Sequence, residues 1–465
     1  MASPMAYIIW RLPMENDMAD VLISNCDVLH VDTFGPRVEA GMDIFIHGQH
    51  IERISPHIEG QAIATGVECV DATGLLAMPG LMNTHAHVPM VLFRGLAEDV
   101  SVHAWFNDYI FPMESGLTPE DVYWGAMLGM AEMIRAGVTS VADHYFYMDQ
   151  VAQAVSDSGM RANLVWAVFG HEGVEKLDRT CEFVERWQGK ADGRISTWLG
   201  PHAPYTCPPE FLRLAAQRAH DLQVGIHIHV SETAEQVTLS LEQHGITPVQ
   251  MLAETNVLSV PTILGHCLFP TEADIKLLAG AQSGVAHAPK TYLKLGMGTA
   301  PLPRYRAAGI PVGTATDGAV SSNTLDILEQ IRLMALTQKD AAGDSTVMAL
   351  SEVLDTAFHG SARVLRMEDK LGDLVEGKLA DITLISQDNP AMFPRFNAAA
   401  NLVYSASSRD VDTVICNGKI LMLHKNLLTI DLAQVKREVS MRLDRLNQRD
   451  PNRRIATYPG GEARA

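Results

Sequence analysis

The chain has 465 residues, 47% of them hydrophobic and 20% charged, a balance that excludes a disordered polymer and calls for a large core with a smaller companion unit. Its 55 acidic residues against 36 basic ones leave a net charge of −19. That argues against nucleic acid as a partner, because displacing counterions from a phosphate backbone needs a basic face; the acidity reads as solubility.

The first 20 residues, MASPMAYIIWRLPMENDMAD, carry a short apolar patch, acidic groups and no clear cleavage site, so residues 1–19 read as an extension rather than a signal peptide. Residues 20–78 follow as short alternating strands, ADVLISNCDVLHVD, AGMDIFIHGQHIERISP and VECVDATGLLAMPG, broken by Gly, Asp and Pro. A second β-rich stretch, GDLVEGKLADITLIS with DVDTVICNGKILMLHK, comes near the end. Pairing the two flanks yields one small β-sandwich. Between them, apolar segments run into polar tips: LLAMPGLMNTHAH, TSVADHYF, ANLVWAVF, ISTWLGPHAP, GIHIHVSE, PTILGHC, GVAHAPK and PVGTATDG. Helix-like stretches separate them. In TPEDVYWGAMLGMAEMIRAG, Thr118 caps the start, Pro119 takes the first helical position and Gly137 closes the end. Eight strands alternating with helices imply an α/β fold, a (β/α)8 TIM-like barrel over residues 79–368. The sandwich then spans 20–78 and 369–432, and a C-terminal helix and tail occupy 433–465.

No run reaches the ~18 apolar residues that cross a bilayer. The six cysteines are scattered without a CxxC pair, as free thiols in a reducing compartment would be. A cytoplasmic protein with no membrane partner is expected.

In such barrels the chemistry gathers where the strands end. His85 and His87 sit two apart on the first strand, so both imidazoles face one side. On the fifth strand His229 is the better ligand candidate, His227 packing lower, and Glu232 lies three residues beyond. His266 ends the sixth and Asp317 the eighth. Taken singly, these residues also fit a loop carboxylate, a hydrogen-bonded core histidine and an Asp-Gly turn. Taken together, neutral imidazoles with one carboxylate suit one divalent cation, Zn²⁺ or else Fe²⁺, whereas Ca²⁺ and Mg²⁺ want more oxygens. A water beside such an ion becomes hydroxide near neutral pH.

PGLMNTHAHVPMVLFRGLAED, GPHAPYTCP, HVSET, GHC, LKLGMGTAP, TDGAVSSNTLDILEQIRLMALTQK and GDLVEGKLADITLI together resemble the amidohydrolase superfamily, in its deaminase and chlorohydrolase branch. The likeness is greatest to 5'-methylthioadenosine/S-adenosylhomocysteine deaminases and runs from about residue 20 to 450. It implies that His85, His87, His229 and Asp317 bind one metal, usually zinc. Glu232 would carry a proton to the ring nitrogen, His266 would orient water, and Asp317 would take the water's proton and return it to departing ammonia. Trp105, Glu114 and His202 match substrate-contacting positions, and the resemblance also suggests a homo-oligomer.

Two stretches depart from the pattern. Trp166 stands where relatives can carry an Arg, and HEGVEKLDR shows no clear match for a second Arg. Where relatives commonly read His-Asn-Pro-x-Ser-Asn, this chain has His287-Ala288-Pro289-Lys290-Thr291-Tyr292. Trp166 and Lys290 therefore stand as candidate substrate contacts, and a pterin, another purine or a triazine stays open beside the adenosine thioethers.

The reaction expected is hydrolytic deamination of a small aminopurine nucleoside or related N-heterocycle, metal-bound hydroxide attacking the amine-bearing carbon with release of ammonia. An s-triazine chlorohydrolase or other C–N/C–Cl hydrolase is the alternative within enzymes. A non-catalytic scaffold of the same fold is the alternative outside them, disfavoured because no ligand position is missing.

Overall fold

The computed structural model describes residues 20–32, 35–448, 450 and 452–459; the N-terminal extension 1–19 and residues 460–465 lie outside them. The chain opens with five strands, β1 (Asp20–Asp32), β2 (Gly35–His47), β3 (His50–Pro56), β4 (Val67–Asp71) and β5 (Leu75–Pro79). The barrel strands follow: β6 (Leu81–His87), β7 (Val138–Tyr145), β8 (Arg161–Val168), β9 (Ile195–Pro201), β10 (Ile226–Val230), β11 (Thr262–His266), β12 (Ser283–His287), β13 (Val312–Thr314) and β14 (Asp317–Gly318). The last strands are β15 (Ile382–Ser386), β16 (Val411–Cys416), β17 (Lys419–Leu423) and β18 (Asn426–Leu427).

Strands β6 to β13 are parallel neighbours in chain order, and β14 pairs with β6 in the register Asp317↔Ala86 and Gly318↔His87. β13 and β14 are two pieces of one stave, interrupted at Ala315 and Thr316. Across the gap Thr84 Oγ1 donates to the Thr314 carbonyl at 2.9 Å, and the Asn83 amide bonds Thr316 through Oγ1 (2.7 Å) and backbone N–H (3.0 Å). The sheet thus closes on itself as an eight-stave barrel. Its strands are buried on both faces, which is why they read as near-continuous apolar runs.

Helices fill the outside. In Pro119–Arg135, Thr118 and Asp121 form a reciprocal capping box, and Pro119 occupies a first-turn position. The helix ends with Ala136 as its cap, and Gly137 follows at φ +81°. Gly137 is also a point of close approach: a Cβ there would stand 2.8 Å from Thr383 Cγ2, where β15 crosses beneath the barrel.

Both ends of the chain enter one mixed nine-stranded sheet, ordered β18-β17-β16-β15-β5-β1-β2-β3 with β4 beside β1. Ile51 of β3 and Ile420 of β17 lie far apart along this path, yet both belong to one apolar cluster with Ile23, Ile44 and Ile382. The sheet therefore folds over on itself as a small sandwich. All six cysteines are unpaired. Among the described residues, no helix is long and apolar enough to cross a membrane.

Candidate metal centre and catalytic pocket

Three strand ends, those of β6, β10 and β14, bring four ligand atoms together. His85 Nε2 and His87 Nε2 lie 3.4 and 3.2 Å from Asp317 Oδ1, and His229 Nε2 lies 3.3 Å from His87 Nε2. Each imidazole is turned by its other nitrogen. His87 Nδ1–H donates to the His144 carbonyl at 2.6 Å, His229 Nδ1–H donates to the His202 carbonyl at 2.9 Å, and His85 Nδ1 is 2.8 Å from His227 Nε2. Holding the proton on Nδ1 aims the Nε2 lone pair at the centre, the arrangement that orients metal-binding histidines. Asp317 is divided in the same way: Oδ2 accepts from Ser321 Oγ (2.5 Å) and Thr291 Oγ1 (3.2 Å), leaving Oδ1 for the cluster.

The residues fit a divalent cation. His85 Nε2 is fully buried and makes no hydrogen bond, a costly state unless a positive centre meets its lone pair. Ligands held at ~2.0–2.1 Å in a tetrahedron stand about 3.3–3.4 Å apart, which matches the spacings above. Gly265 helps make the room, since a Cβ there would come within 3.3 Å of both the His85 and His229 rings.

For two of the three imidazoles the electrostatics point the same way. Burial lowers His85 to about 3 and holds His229 well below an ordinary histidine, which keeps both neutral and free to donate lone pairs. Burial also lowers His87, but the facing Asp317 carboxylate prevails and raises it to about 9. Against the upward push of its own burial, Asp317 is kept well below the usual carboxylate range by His85 and His87.

Glu232 and His266 flank this centre, with His266 Nε2 3.7 Å from Glu232 Oε1. Burial raises the Glu232 carboxyl, and Gln236 Nε2 donates to its Oε2 at 3.3 Å. His266 Nδ1 is buried without a partner. His266 (φ +75°), Cys267 (φ +46°), Ser231 (φ +47°) and Asp317 (φ +61°) all sit in left-handed backbone, a costly conformation for such residues that concentrates at functional sites.

A cavity of about 50 Å³ opens beside His87, His229, Glu232, His266 and Asp317. Aromatic rings, Phe106, Phe111, Phe146, Phe169 and Tyr205 among them, form its walls, and among the described residues no lysine or arginine lines it. Trp105, Glu114 and His202 all reach this cavity. Burial pushes Glu114 up to about 7 against the pull of Tyr145 and His87, and pushes His202 down to about 3. His202 Nδ1 meets Thr206 Oγ1 at 3.0 Å.

Trp166 and Lys290 do not join them. On β8 the neighbouring Ala167 faces the cavity, so strand alternation turns Trp166 outward, against Phe183 and beneath Lys176 Nζ 5.0 Å from its ring centroid. Lys290 Nζ is held by Glu329 (2.7 Å) and Thr324 (3.1 Å). Tyr292 packs inward, its hydroxyl accepting from Ala288 N–H at 2.9 Å.

Three residues of the β7 tip escaped the sequence reading. The His144 carbonyl orients His87, and its ring is 4.9 Å from that of His229, with Nε2 buried and unpartnered. Asp143 Oδ1 accepts from Val88 N–H at 2.9 Å, and burial raises its carboxyl to about 7. Tyr145 lies along the pocket wall. The signal was available, because Asp143-His144-Tyr145 ends a strand as the other site residues do.

The amidohydrolase family model matches residues 76–421. A 5-methylthioadenosine/S-adenosylhomocysteine deaminase of Desulforudis audaxviator is 46% identical over 381 residues, covering 82% of this chain and 89% of that protein. Another protein of that name, from Pelotomaculum thermopropionicum, is 40% identical over 436 residues, 93% of this chain and 100% of its own length. Among solved structures, an adenosine deaminase from Xanthomonas campestris with bound zinc superposes with a TM-score of 0.86 at 28% identity, covering 92% of this chain and 99% of that one. A triazine hydrolase from Arthrobacter aurescens does so with a TM-score of 0.84 at 26% identity, covering 91% and 99%.

Proposed function

The chain belongs to the amidohydrolase family, and we propose that it is a metal-dependent deaminase that hydrolyses the exocyclic C–N bond of an aminopurine nucleoside. One observation carries the reading: three imidazole Nε2 atoms and one carboxylate oxygen converge beside the Glu232–His266 pair, at the wall of an aromatic cavity. His85, His87, His229 and Asp317 would hold a single cation, zinc by analogy with the Xanthomonas campestris neighbour. Bound there, it would supply Lewis acidity to water and to the substrate.

The protein groups do the remaining work. Burial raises the Glu232 carboxyl, which suits it to take the first proton of the attacking water and deliver it to the ring nitrogen next to the amine-bearing carbon. His266 Nε2 fixes the attacking water against that carbon. Asp317 takes the second water proton and passes it to the leaving amine. One C–O bond forms, one C–N bond breaks, and the products are the ring carbonyl and ammonia. The phenyl walls exclude water and pack on the flat ring. Glu114, deep in the pocket, suits the ribose hydroxyls as an acceptor.

The cavity lining also narrows the substrate. Among the described residues it offers carboxylates but no lysine or arginine, which suits a neutral thioether substituent such as that of methylthioadenosine better than the amino-acid tail of S-adenosylhomocysteine. Ammonia release from methylthioadenosine, adenosine, S-adenosylhomocysteine, a pterin and an s-triazine tests the assignment. Methylthioadenosine or adenosine should turn over fastest. Ammonia release confined to the triazine would replace this reading with a triazine deaminase, and chloride release from a chlorotriazine would replace it with a chlorohydrolase.

A further inference from the structure

The cavity is far smaller than the ~300–1,000 Å³ of ordinary ligand pockets; at about 50 Å³ it holds a water or two, so a nucleoside enters only when a wall moves. One wall is the segment after β6: helix Val102–Ala104, a π-helical turn Trp105–Ile110, and helix Phe111–Glu114. It contributes Trp105, Phe106, Phe111 and Glu114 to the pocket, and π-turns recur at functional sites.

This wall is fastened from outside by a residue more than 300 positions away. Tyr458 is 1% exposed. Its ring stacks on Phe106 at 4.7 Å with 4° between planes and meets Tyr205 edge-on at 5.5 Å, and both partners line the cavity. Its hydroxyl lies 2.8 Å from Thr233 Oγ1, next to Glu232. Asn107, within the π-turn, clamps the Tyr458 backbone from both sides: Oδ1 accepts its N–H at 2.9 Å, and Nδ2 donates to its carbonyl at 3.1 Å. Ile455 N–H adds a bond to the Phe111 carbonyl at 3.2 Å. One side chain thus ties this wall to the loop that carries Glu232.

We propose that Tyr458 is a positioning residue of the pocket: it presses Phe106 and Tyr205 into the surface that receives the substrate ring, and its release together with the Trp105–Ile110 turn opens the cavity. The inference rests on the deaminase reading only for its kinetic arm. The Tyr458 hydroxyl bonds Thr233 and its ring packs on Phe106 and Tyr205, so its effect falls first on the binding surface.

The test compares Tyr458→Phe, Tyr458→Ala and Asn107→Ala in the full chain. Tyr458→Phe keeps the stack and should stay within threefold of the parent KM. Tyr458→Ala should raise KM for the nucleoside tenfold or more while changing kcat less, and Asn107→Ala, which leaves the ring in place and removes its clamp, should move KM the same way. Amide hydrogen exchange over residues 102–114 should quicken in Tyr458→Ala and Asn107→Ala but not in Tyr458→Phe. Unchanged KM and unchanged exchange in Tyr458→Ala would overturn the proposal, as would equal damage in Tyr458→Phe and Tyr458→Ala. If Tyr458→Ala does not fold, Asn107→Ala decides alone. If the parent enzyme deaminates no aminopurine nucleoside, the function fails, while the exchange arm still decides the role of Tyr458.

Discussion

Two buried polar clusters sit at opposite ends of the barrel and are built on opposite principles. At the base, Arg161 opens β8 and grips Asp381, Nε to Oδ2 at 3.0 Å and Nη2 to Oδ1 at 2.9 Å. Arg161 Nη2 also donates to Asn417 Oδ1 at 2.9 Å, and Asn417 N–H donates to Asp381 Oδ1 at 2.8 Å. The pair is nearly solvent-free, and the carboxylate and guanidinium answer each other. At the mouth, His85 Nε2, His144 Nε2 and His266 Nδ1 are buried with no partner, and the imidazole lone pairs converge. A satisfied buried pair joins one part of a fold to another; an unsatisfied one awaits something the protein does not supply.

Substitutions can break that contrast. The largest effect is expected at the mouth: Glu232→Gln should cut kcat by about 10²–10⁴-fold, with metal content and melting temperature unchanged. Steady-state ammonia release beside metal analysis checks it, and near-parental turnover would remove Glu232 from the mechanism. At the base the outcome should be reversed. Arg161→Ala leaves Asp381 buried and unpaired, so it should cost about 3–5 kcal/mol of stability in denaturant titration, while the folded fraction keeps its metal and its kcat.

A smaller effect sharpens the account of the pocket. Trp166→Arg should leave the ratio of rates on methylthioadenosine and S-adenosylhomocysteine unchanged, because the side chain points away from the cavity. A shift towards the homocysteine substrate would show that it reaches the substrate after all.

The smallest effect concerns His359, which joins the helical turn Thr356–Gly360 to Asp355 (3.0 Å) and Asp373 (2.5 Å). Those carboxylates, opposed by partial burial, raise it to about 9 from 6.5. Because the folded state holds the proton more tightly, its stabilisation is fully present below pH ~6.5 and is lost as pH rises through about 9. The stability gap between the parent and His359→Gln should therefore shrink over that window; a gap that widens with pH would contradict the assignment.

Much of this was legible in the sequence because it obeys local rules. The apolar staves with polar tips, the Thr118–Pro119 helix start and the two-residue spacing of His85 and His87 each follow from period, cap or alternation. The same tip rule would have found Asp143 and His144. Trp166 was misplaced because alternation gives a face only once the parity of a strand is known, and Ala167 holds the inward position. Lys290 was misread because its partner Glu329 comes from a helix 39 residues on. Tyr458 had no local signal at all, its partner Asn107 being 351 positions away.

The most direct test of the central claim is metal stoichiometry with activity, measured together on the parent protein and on Asp317→Asn. The account predicts one equivalent of divalent transition metal per parent chain, ammonia release that is lost on chelation and restored by Zn²⁺, and an Asp317→Asn protein that folds but lacks both metal and activity. Undiminished ammonia release from chelated, metal-free parent protein would contradict it.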